Sequence, residues 1–487
     1  MERKSIKKGR KILTAVSAAL TAALAFIQLT ACVKAPAGEQ NGPESHATSE
    51  RPSEPVKRSE DNRIMDMIIW YDDDIGPSTN DRPEKGWYHL SPEHPNTISK
   101  SGMYRATTPL LGLYDQRKET TARQHLYWIS ALGCNAICVD WTNYTSYRTA
   151  DSAGWKKYTV GNYLNAQNLL KTAAGAEGFD VPKIYFAARL SGENYEGLKD
   201  VLDDLYSLYE KYPDAWYRFD DGTENAGKPF IEIFIDWDLQ AKLRKNGALV
   251  NDPRWNIRYT NGYMSGSTET DANGYKAVPA DVPVWLFVEN EEDNAAGEGM
   301  YRTFYPKGNG GRVEQMAAWA SVHKGGFNWD ALNNVINGQT TFERQLRNVK
   351  ELSPQALVIA RWNYPLEWFE QPQEGISLYE STHIEPNVDF GFDVFNNVQQ
   401  NLYALNNWLG EKPPLPAFTG ETAGAMMLSL EGFPVEYRLG SAPGTGEWVY
   451  YNVNEGIPGK ALTAGETYYL QTRNTFGESD ILEFTAG

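Results

Sequence analysis

Cysteine, histidine and basic charge are all scarce in this sequence, and each shortage excludes something. Only three cysteines stand in 487 residues. Cys32 belongs to a leader segment. Cys134 and Cys138 lie four residues apart in an extended pattern, about 13 Å from one another and too far for a disulfide. Two free thiols are expected there. The six histidines, at 46, 89, 94, 125, 323 and 383, are scattered and give no zinc spacing. Asp72-Asp73-Asp74 lacks the spacing and glycine of a calcium-binding EF-hand loop. No metal and no cofactor is expected. Lys and Arg number 46 against 63 Asp and Glu, a net charge of −17. That balance argues against nucleic acid, since phosphate binding needs a basic face.

The N-terminus carries its own signal. Residues 1–11 hold six Lys and Arg, an apolar run follows over 12–29, and the run ends in Leu29-Thr30-Ala31-Cys32. A basic start, a short apolar stretch and small residues describe a secretory signal. The ending resembles a bacterial lipobox, in which Cys32 is acylated on sulfur and becomes the new N-terminus. A plain signal or a membrane anchor is the alternative, although the run is barely long enough to span. Lipid on Cys32 would hold the protein at a cell membrane or outer surface without a spanning helix. Residues 33–62 are rich in Pro, Glu, Ser and Gly and poor in large apolar residues, which is expected of a flexible spacer.

Eight strand-length apolar runs follow, at 64–70, 135–141, 183–189, 230–236, 255–260, 284–289, 316–322 and 356–362. Amphipathic stretches at 120–132, 198–212, 341–352 and 389–409 have helical spacing. Strands alternating with helices predict βαβ units and a parallel sheet. Eight strands over 63–411 predict an α/β fold, a (β/α)8 TIM barrel. An open doubly wound sheet is the runner-up, and no Gly-rich phosphate fingerprint supports it. Lys412-Pro413-Pro414-Leu415-Pro416 reads as a stiff linker. The short strands of 417–487 predict a small all-β sandwich of fibronectin or Ig-like type, which either binds glycan or packs on the barrel.

Aromatic residues make up 13 % of the chain, with 15 Trp and 28 Tyr. Such rings stack on the apolar faces of sugars, although large aromatic cores also exist. Reacting groups of a parallel barrel sit at the C-terminal ends of its strands. Tyr71, Asp140, Trp141, Asp236, Glu289, His323, Trp362 and Asn363 fall at or beside such ends, and His89 follows the first strand. Tyr71, Trp141 and Trp362 are either stacking platforms or core. His89 and His323 either donate to hydroxyls or are structural. Glycoside hydrolysis needs two carboxyl groups, one to protonate the leaving oxygen and one to act as nucleophile or base.

Several stretches resemble a known family. They are Gly86-Trp87-Tyr88-His89, the run from Pro109 to Asp115, a helix containing His125, the run from Gly133 to Trp141, Ala360-Arg361-Trp362-Asn363, Glu367-Trp368-Phe369-Glu370, and Thr382-His383-Ile384-Glu385-Pro386. Patchily, over residues 64–410, they are similar to the family 99 glycoside hydrolases, the endo-α-mannosidase/mannanase barrels. The family cluster reads Asn-Glu-Trp-x-Glu after strand eight. Its first Glu acts as base on the sugar 2-hydroxyl, forming an anhydro-sugar, and its second is the general acid/base. With Tyr364-Pro365-Leu366 as an insertion, Glu367 and Glu370 keep that spacing. Without a gap, Tyr364 replaces the first Glu and Glu367 falls on the second. Asp140, Asp236 or Glu289 would then have to serve as partner. The resemblance implies a retaining glycoside hydrolase acting on an α-linked, mannose-containing oligosaccharide or polysaccharide. The substitution at Tyr364 leaves a second reading open, a glycan-binding lipoprotein that has lost catalysis.

Overall fold

The computed structural model describes residues 54–72, 103–105, 109–112, 114–142, 144, 153–260, 283–285, 311–320, 341–362, 366–368, 384–388, 390–422 and 424–487. The chain divides into two units, Met1–Glu50 and Arg51–Gly487, and the described residues all belong to the second. The expected leader, Cys32 and residues 33–53 lie outside them. Among the described residues no helix is long and apolar enough to cross a membrane.

Seven strands form one parallel sheet: β1 (Asp66–Asp72), β2 (Ala136–Asp140), β3 (Lys183–Leu190), β4 (Phe230–Ile235), β5 (Asn256–Thr260), β6 (Gln315–Trp319) and β7 (Ala356–Trp362). Their spatial order is β5-β4-β3-β2-β1-β7-β6. The first strand therefore pairs with both the second and the last, as barrel closure requires. Of the sixth expected strand, 284–289, only the start is described. Val284 bridges Tyr259 of β5 in parallel, the position that strand would occupy.

One contact shows that the sheet curls. If it were open, β5 and β6 would lie roughly 29 Å apart across six inter-strand gaps. Instead Arg258 of β5 meets Glu314, the residue before β6, with Nε to Oε1 at 2.5 Å. Trp285 Nε1 donates to the same oxygen at 2.6 Å. Arg258 also pairs with Asp221 at 2.9 Å. Two edges can meet this way only when the sheet wraps towards a TIM-barrel-like form.

Wrapping gives the sheet an inner and an outer face. Outward residues such as Met67, Ile69, Ile137, Val139, Ile184, Phe186, Ile231 and Ile233 pack against helices. Inward residues from six strands, including Ile68, Trp70, Cys138, Tyr185, Ala187, Phe230, Trp319 and Val358, form a second cluster with Trp285. The helices are α1 (Glu119–Leu132), α2 (Ala153–Gly175), α3 (Tyr195–Lys211), α4 (Trp237–Asn246), α5 (Thr341–Leu352) and α6 (Asp393–Leu405). The last is shorter than the 389–409 expected. Asn407 takes φ 54°, and Trp408–Leu409 becomes a strand.

That strand corrects the expected spacer, 33–62. Val56–Lys57 pairs with Trp408–Leu409 in parallel. The Arg58 guanidinium lies over the rings of Phe433, Trp408 and Tyr403 at 4.6, 5.3 and 5.8 Å. Backbone pairing and cation–π contacts anchor this stretch, and neither appears in a count of apolar residues.

The C-terminal part is all-β and antiparallel. One sheet has three strands (Phe418–Thr422, Ala425–Leu428, Ile457–Pro458), and the other is built around Glu436–Gly440 and Thr467–Asn474. It packs on α1. Gln124 accepts from Val453 N at 2.8 Å and donates to the Tyr451 carbonyl at 3.3 Å, and Tyr127 donates to the Pro434 carbonyl at 2.9 Å. Cys134 and Cys138 are buried and unbridged.

Candidate functional site

The strand register brings carboxyl groups into one row. Asp72 of β1 stands opposite Asp140 of β2, and Asp140 opposite Ala187 of β3. Ala187 stands opposite Glu232 of β4, and Glu232 opposite Arg258 of β5. Side chains of one register row share a face, and Ala187 belongs to the inner cluster. The row starts at the C-terminal ends of β1 and β2 and runs deeper at β4, as tilted barrel strands require.

Ala187 matters because it is small. Glu232 reaches past it to β2, where its Oε2 lies 3.8 Å from Cys138 Sγ and accepts from the Tyr185 hydroxyl at 3.2 Å. Burial pushes the Glu232 carboxyl up to about 7, the Tyr185 hydrogen bond opposes this, and the Asp140 charge adds to it. Asp72 is 3 % exposed and bound by both ends of the Arg361 fork, Nη2 to Oδ1 at 2.9 Å and Nε to Oδ2 at 3.2 Å. Burial pushes its carboxyl up, Arg361 pulls it back, and Asp140 raises it again, leaving it at about 6. Asp140 is half-buried and accepts from the Thr142 hydroxyl at 2.6 Å and backbone N–H at 2.9 Å. Two carboxyls that exchange protons near neutrality therefore flank a third. Such a set can deliver and recover a proton at working pH.

The other expected site residues separate into three groups. Asp236 is committed to structure. Its carboxylate accepts from Arg189 at 2.6 Å, Ser191 Oγ at 3.1 Å and Gly192 N at 3.0 Å. Burial raises it, but these donors outweigh burial and hold it below the usual range. Tyr71, Trp141 and Trp362 are buried, at 3 %, 1 % and 0 % exposure. Trp141 stacks on Tyr144 with centroids 4.0 Å apart, and Trp362 meets the edge of His125 at 5.8 Å. These three rings take the core alternative rather than that of open stacking platforms. Glu367 lies in a three-residue strand, Leu366–Trp368, antiparallel to Met103–Arg105 and opposite Tyr104. His89, Glu289, His323, Asn363 and Glu370 lie outside the described residues.

Sequence reasoning missed Glu232 because it took 230–236 as one apolar run and sought reacting groups only at strand ends. A carboxylate alternating with isoleucines in that run was the available signal. It also missed Arg361, whose inward direction depends on an extra residue in β7. Ile69 pairs with Ile359, yet Tyr71 pairs with Trp362. Two residues of β7, Ala360 and Arg361, thus stand against one of β1, Trp70.

No family model and no curated protein matches the chain. Among solved structures, the GH99 endo-alpha-mannosidase from Bacteroides thetaiotaomicron is 15 % identical, over 70 % of this chain and 96 % of that one, with a TM-score of 0.39. A glycoside hydrolase-like protein is 12 % identical over 73 % and 98 %, with a TM-score of 0.35. Alpha-L-fucosidase isoenzyme 1 from Paenibacillus thiaminolyticus is 9 % identical over 78 % and 87 %, with a TM-score of 0.24. These likenesses are weak, and the barrel-like reading stands on strand order and edge closure instead.

Glu232 supplies a test through stability. Its folded proton affinity lies above the ordinary 4.5, so the stability it contributes is full below pH 4.5 and is lost as pH rises through about 7. Glu232→Gln removes that dependence. In chemical unfolding, the parent should lose on the order of 3 kcal/mol relative to the variant between pH 4.5 and 8. A difference that stays flat with pH contradicts the burial argument.

Proposed function

We propose that this protein is an exported glycoside hydrolase that works at the C-terminal mouth of its barrel-like sheet on an α-linked, mannose-containing glycan, with retention. The row of Asp72, Asp140 and Glu232 carries the reading. It places protonatable carboxyls on the inner face of a parallel sheet, with the half-buried Asp140 at the end where such barrels do their chemistry. The acidic balance of the chain suits a neutral sugar rather than an anionic polymer.

Glu367 is the principal catalytic candidate, because both alignments of the family cluster include it. Glu370 is its partner in the gapped alignment. Asp140 is the better partner in the ungapped one, since three donors already hold Asp236. The Leu29-Thr30-Ala31-Cys32 ending motivates the further proposal that Cys32 carries lipid and tethers the enzyme to a membrane surface.

Turnover of α-mannosides by the purified protein should fall about 100-fold or more in Glu367→Gln. Whichever of Glu370→Gln and Asp140→Asn falls with it identifies the partner. Unchanged turnover in Glu367→Gln sinks the assignment. Calorimetric sugar binding without any product would favour the glycan-binding reading instead. For the anchor, Cys32→Ser should move the expressed protein from the membrane fraction to the soluble one. Retention in the membrane fraction contradicts lipidation at Cys32.

A further inference from the structure

Tyr71 and Asp72 are neighbours on β1 and face opposite sides of the sheet. Asp72 points inward and holds Arg361. Tyr71 points outward, into the layer packed against helices, where its hydroxyl shares a 2.9 Å hydrogen bond with His125 Nδ1 of α1. His125 Nε2 lies 3.0 Å from Glu385 Oε1, and the Tyr114 hydroxyl donates to Glu385 Oε2 at 3.1 Å. His125 is fully buried, and Glu385 is 3 % exposed. As a carboxylate, Glu385 accepts from both Nε2–H and the Tyr114 O–H.

The segment that carries Glu385 also grips β7. Ile384 N donates to the Arg361 carbonyl at 3.2 Å, and the Pro386 carbonyl accepts from Leu110 N at 2.9 Å. Both partners of the Asp72–Arg361 pair are thus tied to one histidine. Asp72 is tied through the hydroxyl of its neighbour Tyr71, and Arg361 through the backbone beside Glu385. Burying an imidazole and a carboxylate costs desolvation that apolar side chains of similar volume would avoid. A chain that only filled space would not need them.

We infer that the Tyr71–His125–Glu385–Tyr114 chain is a positioning device, which fixes the ends of β1 and β7 on the outer face so that the Arg361 fork meets Asp72 on the inner face. The inference rests on the proposed function only in placing Asp72 within the site. His125 and Glu385 are positioning residues, since neither reaches the inner face.

The test reads Asp72 without any substrate. In protein carrying carboxyl-labelled aspartate, carbon NMR follows the Asp72 titration, with Asp72→Asn assigning its signal. Among the described residues, Arg361 from β7 and Asp140 from β2 are the charged groups that face it, and the parent midpoint should lie at about 6. Tyr71→Phe deletes one hydroxyl and leaves the other links in place. Glu385→Gln keeps the shape and removes the charge. Both should loosen the guanidinium contact and move the Asp72 midpoint upward by about 0.5 or more. A lowered melting temperature with an unmoved or lowered midpoint means that the chain only packs, and overturns the inference. If Glu385→Gln does not fold, Tyr71→Phe decides alone. Absence of hydrolysis in the parent would sink the functional reading and leave this titration result standing.

Discussion

Asp72 sits inside the sheet bound by a guanidinium, and the guanidinium reaches it because β7 carries one extra residue. Without that residue Arg361 would stand opposite Tyr71 and share its outward face, since a one-residue slip exchanges the two faces of a strand. The apolar layer against the helices would then hold a charge, and Asp72 would lose the guanidinium that grips both of its oxygens. The extra residue turns Arg361 inward and returns Trp362 to the outer cluster beside Tyr71 and His125. The bidentate contact that results keeps Asp72 at a proton affinity useful near neutrality, where burial alone would drive it higher.

Curling of the sheet makes the rest of the arrangement possible. On an open sheet, Asp72, Asp140 and Glu232 would stand side by side in solvent. On a wrapped sheet their side chains converge, lose water and feel one another's charge. Arg258 and Glu314 join the two edges and so help to hold the wrap, while Ala187 leaves the space that Glu232 crosses to reach β2. The α1 helix serves both faces of the design. His125 locks the strand ends from one side, and Gln124 and Tyr127 dock the C-terminal β-region on the other.

The strands were legible in the sequence because continuous apolar runs announce parallel strands covered on both faces. Seven of the eight runs became strands of one sheet, and the remaining one is described only at Val284 and Trp285. Helices with an apolar stripe, α1, α3 and α5, were legible too. Helix α2 was not, because its buried side includes Asn162, Asn165 and Thr172, which hide the helical period. The order of the row was not legible either, since register depends on pairing between distant segments and on the irregularity in β7. Sequence reasoning named Asp140 from its place at a strand end but passed over Glu232 among isoleucines. Tyr71 and Trp362, expected either as stacking platforms or as core, are buried beside His125.

The central claim is that a sugar reacts at the C-terminal mouth of the sheet, beside the half-buried Asp140. A structure of the Glu367→Gln variant with a mannose oligosaccharide tests it most directly. A pyranose within hydrogen-bond reach of Asp140, seated at the C-terminal ends of β1 and β2, is the result expected. A sugar bound only on the C-terminal β-region, with the barrel mouth empty, would contradict the account.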